Sequence, residues 1–278
     1  MKELYDIVSV KSSKLLTRTY STSFSIGINL LDKKLHDAIY SIYGFVRLAD
    51  EVVDSFHDYP KADLLRQIRM ETFKAIEIGI SVNPVIQSFQ ETVRRYQIDI
   101  QLIEKFLDSM EQDLQEVNYS SILYDEYIVG SAEVVGLMCL KVFVEGDMDK
   151  YNELKYAARK LGAGFQKVNF LRDMKSDYND LGRMYFPNVE FSNFSLDDKL
   201  KIEEDIQEDF NEALIGIKLL PKSSKLGVYV AYRYYRSLFD KIKLISPNEI
   251  MNERIRVSNT KKLYLACESI VANKLKRI

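Results

Sequence analysis

Chain breakers are so scarce in this sequence that their absence nearly decides the fold. Only eleven glycines and five prolines occur in 278 residues, well below the usual combined share of roughly 12%. Sheet-rich folds need frequent turns, and turns need these residues, so the chain is expected to be all-α. The apolar spacing agrees. Between Asp37 and Phe56, the residues Ile39, Ile42, Val46 and Val53 recur at helical rather than alternating intervals, and Pro60 marks a boundary. Further helices are expected over 61–80, 84–96, 102–117 and 120–144, then a long one over 149–178. The stretch 182–194, with Pro187, reads as a loop. Helices resume near Ser195, where Ser195 and Asp198 have the spacing of a capping box, and continue over 222–242 and 261–276. No internal repeat or low-complexity linker interrupts the chain, so residues 1–278 are read as a single helical domain.

Hydrophobic residues make up 46% of the chain and charged residues 29%, enough for a sizeable core under a solvated surface. The net charge is −2 and the basic residues form no stripe, so no nucleic-acid partner is expected. No run of 18 apolar residues is long enough to span a bilayer, and the first residues lack the apolar core of a signal peptide. Cys139 and Cys267 lack metal-type spacing and read as reduced thiols of a cytoplasmic protein. Nucleotide-binding glycine loops and the nucleophile elbow of hydrolases are absent. His36 and His57, the two histidines, read as exposed helix residues.

Two segments carry chemistry. In YGFVRLADEVVD (43–54), Tyr43, Arg47, Asp50 and Asp54 share one helix face. Two carboxylates one turn apart suit a hard divalent cation, and magnesium takes one or two carboxylates together with substrate phosphates. In GFQKVNFLRDMKSDYNDLGRMYFP (164–187), Gln166, Asn169, Asp173 and Asp177 run i, i+3, i+7, i+11 beside Phe165, Val168, Phe170 and Leu171. Buried carboxylates without partners cost several kcal/mol, and a cation removes that cost. Arg172 and Arg183 are close enough in sequence to hold phosphate oxygens. The pair Asp205/Asp209 has the same spacing inside the charged run KIEEDIQED and reads as a solvated helix face, and Asp58 as surface. Two further segments keep two readings each. RTYSTSFS (18–25) is either a polar loop or a hydroxyl-rich phosphate contact. YIVGSAEVVGLM (127–138), with Gly130, Ser131, Ala132 and Gly136, serves either close helix packing or room for a long apolar ligand. Glu133 has no evident role in that stretch.

YSTSF, YGFVRLADEVVD, YIVGSAEVVGLM and FQKVNFLRDMKSDYNDLGRMYFP, in this order, resemble the blocks of the squalene and phytoene synthases. The resemblance runs from about Thr19 to Lys262 and is strongest to bacterial phytoene synthases. It implies an all-α isoprenoid synthase fold around a central cavity, acting on isoprenoid diphosphates. The implied reaction joins two geranylgeranyl diphosphates head to head through a cyclopropyl diphosphate. The alternatives are a squalene or dehydrosqualene synthase acting on farnesyl diphosphate, or a non-catalytic relative serving assembly.

The resemblance also implies that Asp50, Asp54, Asn169, Asp173 and Asp177 hold Mg2+, with Mn2+ as a substitute. It places Ser21, Thr22, Ser23, Phe24, Tyr43, Arg47, Gln166, Arg172, Tyr235 and Arg254 (or Arg256) around the substrate, Tyr127 in the reaction cavity, and Asp113 as a further polar position. No NADPH is expected. Ser176 stands where many relatives carry an acid, and Glu133 where they carry a small residue. Apolar substrates imply peripheral contact with the inner face of a membrane. The tail from Lys261 onward reads first as a core-packed helix and second as a lipid-surface one. Monomer and homodimer both remain open.

Overall fold

The structure, a computed structural model, describes residues 1–114, 120–187, 189 and 193–275. Within them every regular element is a helix. In chain order these are α1 (Lys2–Tyr20), α2 (Thr22–Asn29), α3 (Lys33–Ser55), α4 (Lys61–Ile78), α5 (Pro84–Tyr96), α6 (Ile100–Gln112) and α7 (Ser121–Ile128). A π-helical turn (Val129–Glu133) leads into α8 (Val134–Phe143), followed by α9 (Met148–Leu181), α10 (Leu196–Leu219), α11 (Lys222–Lys243), α12 (Pro247–Asn252) and α13 (Asn259–Lys274).

Local chemistry sets most of these boundaries. Asp32, Asn83, Asp99 and Asp147 each accept first-turn amide hydrogens at the starts of α3, α5, α6 and α9. Ser195 and Asp198 form the expected capping box of α10. Gly182 ends α9 at φ 66°, a left-handed stop that suits glycine.

Four expectations need correction. The segment 18–25 is no loop: α1 runs to Tyr20 and Ser21 caps α2, its Oγ accepting from Phe24 N at 3.2 Å. The expected helix over 120–144 is interrupted by the π turn, which inserts an extra residue where Gly130 must pass Lys105 and Ser109; a Cβ there would lie 2.8 Å from the Lys105 carbonyl oxygen. Asp209 is no solvated residue. It is fully buried, its Oδ1 2.8 Å from Lys160 and its Oδ2 2.7 Å from Lys167, both on α9. A charged run hides such a residue because its partners lie far away in sequence. His36 is half-buried, its Nε2 3.0 Å from the Leu31 carbonyl oxygen. Val117 and Lys276, the expected ends of two helices, lie outside the described residues.

The helices pack around α9, which touches α8, the π turn, α10, α11 and α12. Phe45, Phe89 and Phe106 fill the side toward α5 and α6, with Phe45 stacked on Phe89 at 3.9 Å; Phe210 and Phe239 fill the side toward α10 and α11. Small residues draw α9 close to the π turn and α8. A Cβ on Gly136 would lie 2.6 Å from the Ala158 oxygen, and one on Gly162 2.6 Å from the Ala132 oxygen. The other side of this same seam faces a central cavity. No helix among the described residues is long and apolar enough to cross a membrane.

Candidate active site in the central cavity

The cavity has a volume of about 1070 Å³. One part of its wall is aliphatic and aromatic, with Met110, Val135, Cys139, Phe143, Leu154, Ile217 and Leu220. Ser131, Ala132 and Gly136 also line it, so the small-residue stretch serves both packing and space. The other part is polar, and the sequence-expected residues gather there: Ser21, Thr22, Ser23, Phe24, Tyr43, Arg47, Asp50, Asp54, Gln166, Asn169, Arg172, Asp173, Asp177, Tyr235 and Arg254.

Helical phase brings them together. Asp50 and Asp54 come from α3 and Asp173 and Asp177 from α9, so the two pairs meet across one cavity. Burial and then the neighbouring Asp54 push the Asp50 carboxyl up to about 7. Burial, then Asp173 and Asp54, push Asp177 up to about 8. Arginines hold the carboxylates. Arg47 pairs with Asp50 and Glu51, and Arg172 with Asp173. Arg254 Nε donates to Asp173 Oδ1 at 2.8 Å, while Arg256 lines the cavity without such a contact and offers its carbonyl to Lys241.

A second cluster lies beside the aspartates. Tyr127 is buried and its hydroxyl donates to Asp113 Oδ2 at 2.6 Å. Burial raises the Asp113 carboxyl to about 6, against the opposing pull of Arg183. Arg183 lines the cavity too, with its guanidinium engaged inside the protein. It is 8% exposed and ties together Asp54 Oδ1 (2.9 Å), the Asp113 carbonyl (2.7 Å) and the Tyr185 hydroxyl (3.2 Å). Aromatic rings complete the lining. Phe24 sits 5.6 Å from Tyr43 and 5.9 Å from Tyr235; Tyr235 stacks on Phe165 at 3.8 Å and donates to Asn169 Oδ1 at 3.3 Å. Burial pushes the Tyr43 hydroxyl up to about 12, so it stays protonated.

Some participants were not visible in the sequence. Lys262 Nζ donates to Thr22 Oγ1 at 2.9 Å, across 240 residues, and the Arg47 guanidinium lies 4.2 Å from the Tyr20 ring centre. Glu51, one turn after Arg47, was in principle readable as its partner. Glu133 now has an account: it binds Arg159 Nε at 2.6 Å and ties the π turn to α9.

The donor set fits a hard divalent cation. Five carboxylates line one cavity, Asp50, Asp54, Asp113, Asp173 and Asp177, and burial with neighbouring carboxylates drives Asp50 and Asp177 toward protonation, a conflict that a cation relieves. Among the described residues no three acids, imidazoles or thiols converge as a preformed cage.

An all-helical bundle with facing aspartate pairs above an apolar cavity is the isoprenoid synthase fold. The chain superposes on a dehydrosqualene synthase solved in complex with a ligand, with a TM-score of 0.83 at 19% identity, covering 97% of this chain and 98% of that one. The squalene/phytoene synthase pattern matches residues 17–261, and the chain belongs to that family. It is 29% identical to the chloroplastic phytoene synthase of an Oncidium hybrid cultivar over 88% of this chain, and spans 63% of that protein's length. It is 23% identical to the 4,4'-diapophytoene synthase of Staphylococcus haemolyticus (strain JCSC1435), over 89% of this chain and 91% of that protein.

Proposed function

We propose that this protein joins two geranylgeranyl diphosphates head to head to give phytoene, in carotenoid biosynthesis, through a cyclopropyl diphosphate and with Mg2+. The observation that carries the reading is the placement of the two aspartate pairs, with their arginines, on facing helices of one cavity whose remaining wall is apolar.

Asp50, Asp54, Asn169, Asp173 and Asp177 would hold the metal, which when bound neutralises the departing diphosphate. Arg47, Arg172 and Arg254 exchange their carboxylate partners for phosphate oxygens, to which guanidinium binds well. Ser21, Ser23 and the first-turn amides of α2 add donors at a helix N-terminus. Loss of the first diphosphate leaves an allylic cation among Phe24, Tyr43 and Tyr127, whose rings each contribute about 0.5–2 kcal/mol. The double bond of the second substrate attacks that cation, and proton loss gives the cyclopropyl diphosphate. The second diphosphate then leaves, the ring opens with rearrangement, and a last proton is lost to form the central triene. Tyr127, whose hydroxyl donates to Asp113, would receive a proton at oxygen while passing its own to Asp113; the released diphosphate is the alternative acceptor.

A fifteen-carbon substrate is the second reading, supported by the likeness to the diapophytoene and dehydrosqualene synthases. The test is product analysis after incubation with Mg2+ and geranylgeranyl or farnesyl diphosphate, with and without NADPH. A forty-carbon triene formed without NADPH is expected. A thirty-carbon product alone would replace the first reading by the second, and no product from folded protein would favour an assembly role.

A further inference from the structure

Helix α1 is amphipathic the wrong way round. Its buried residues are Ser9, Ser13 and Thr17, each fully buried, while Leu4 is 65% exposed, Ile7 51%, Val8 46% and Leu15 69%. The inward hydroxyls are satisfied. Ser9 donates to the Tyr5 carbonyl and Thr17 to the Ser13 carbonyl, both at 2.8 Å, and Ser13 shares a 2.8 Å bond with Ser88 of α5. Their small size permits close approach to α3: a Cβ on Gly44 would lie 2.7 Å from that of Ser13. The polar face therefore packs inward and the aliphatic face points to solvent. A solvent-facing helix ordinarily carries the opposite pattern.

Charge narrows the choice of partner. Leu4, Val8, Lys11 and Leu15 follow one another at i, i+4, i+7 and i+11, and Arg18 continues the stripe. Glu3 and Asp6 fall outside that register, and Asp6 is bound by Lys2 and Gln87. The surface is thus aliphatic with cations and no acid on the stripe, in a protein whose net charge is −2. An antiparallel two-fold contact along the stripe would set Lys11 against Lys11 of the second copy, with Ile7, Val8, Lys14 and Leu15 around it and no carboxylate among them. An anionic lipid surface satisfies both features, taking the aliphatic side chains and neutralising the cations.

We propose that the outward face of α1 docks the protein on an anionic bilayer surface. Ser21 follows α1 directly and lines the cavity, as does Tyr20 at its end, so docking would bring the cavity entrance to the lipid. That benefit rests on the prenyl diphosphate reading; the docking does not.

The test is co-sedimentation of the full chain with phosphatidylcholine vesicles, with and without phosphatidylglycerol, in the absence of substrate. The wild type is expected to bind only the anionic vesicles, less at high salt. The triple variant L4S/V8S/L15S should bind at least about tenfold more weakly with unchanged circular dichroism, and Lys11→Glu should weaken binding as well. Failure of the wild type to bind, or equal binding by the triple variant, would overturn the proposal. So would a wild-type dimer in light scattering that the triple variant converts to monomer, which would assign the stripe to a second copy. Turnover of detergent-dispersed substrate, measured separately, tests the reaction without involving docking.

Discussion

Replacing Arg183 by methionine keeps most of its buried volume and removes its charge. Around it, Asp113 has a side chain 5% exposed and Asp54 one 34% exposed. Water can take over at Asp54 but hardly at Asp113, so the expected loss comes mainly from a buried carboxylate deprived of the Arg183 cation, about 3–5 kcal/mol. The pH dependence has a definite sign. The Asp113 carboxyl stands at about 6 in the fold against an ordinary 3.8, so its ionisation costs stability as pH rises from about 4 through 6. Arg183 limits that cost, and without it the carboxyl moves higher still. The deficit of Arg183→Met should therefore be largest near about pH 8 and shrink near about pH 5, where Asp113 is protonated. Thermal unfolding reads this directly, at roughly 2–4 °C per kcal/mol or somewhat less for a chain of this size. Adding Asp113→Asn should recover at least half of the loss at the higher pH. An equal deficit at both pH values, or no recovery in the double variant, would refute the electrostatic account of this cluster.

Asp173→Asn should lower turnover by about a hundredfold or more with unchanged helical content, because its contacts with Arg172 and Arg254 lie at the cavity wall and not in the core; near-normal turnover would remove the metal and diphosphate assignment. Chelation of divalent ions should abolish product formation reversibly, with recovery on addition of Mg2+. Gly162→Ala should cost about 1–3 kcal/mol in urea unfolding, since its new Cβ meets the Ala132 carbonyl oxygen at 2.6 Å. Asp209→Leu should cost about 1–3 kcal/mol in urea unfolding, because it removes a carboxylate from Lys160 and from the buried Lys167, which keeps Asp205.

What the sequence disclosed and what it withheld follow from range. The stripe Gln166, Asn169, Asp173, Asp177 was legible because one helix carries it, and helical phase alone puts it on one face. The same holds for Tyr43, Arg47, Asp50 and Asp54. The part of Arg183 was not legible, since its partners come from α3 and from the residue that ends α6, 129 and 70 positions away. Asp209 misled for the same reason: its spacing to Asp205 matched a solvated face, and only the fold supplies Lys160 and Lys167. Helix α1 escaped for another cause. Periodicity finds helices by an apolar face turned inward, and here hydroxyl side chains are turned inward instead.

The residues that pair with one another at the cavity wall are the same ones assigned to the metal and the diphosphate. Each aspartate pair is accompanied by guanidinium groups: Arg47 on Asp50, Arg172 and Arg254 on Asp173, Arg183 on Asp54. These bonds offset some of the repulsion among the carboxylates, although Asp50 and Asp177 still stand well above their ordinary values. All four arginines line the cavity, and Arg47, Arg172 and Arg254 are bonded there to Asp50 and Asp173, two of the carboxylates that would hold a divalent cation. In the proposed reaction, diphosphate oxygens would replace the carboxylates at Arg47, Arg172 and Arg254, leaving Asp50 and Asp173 to the metal. Arg183, 8% exposed and bonded on several sides, is excluded from that exchange. It holds Asp54 and Asp113 in place, which is why its loss should register in stability and the loss of Asp173 in turnover.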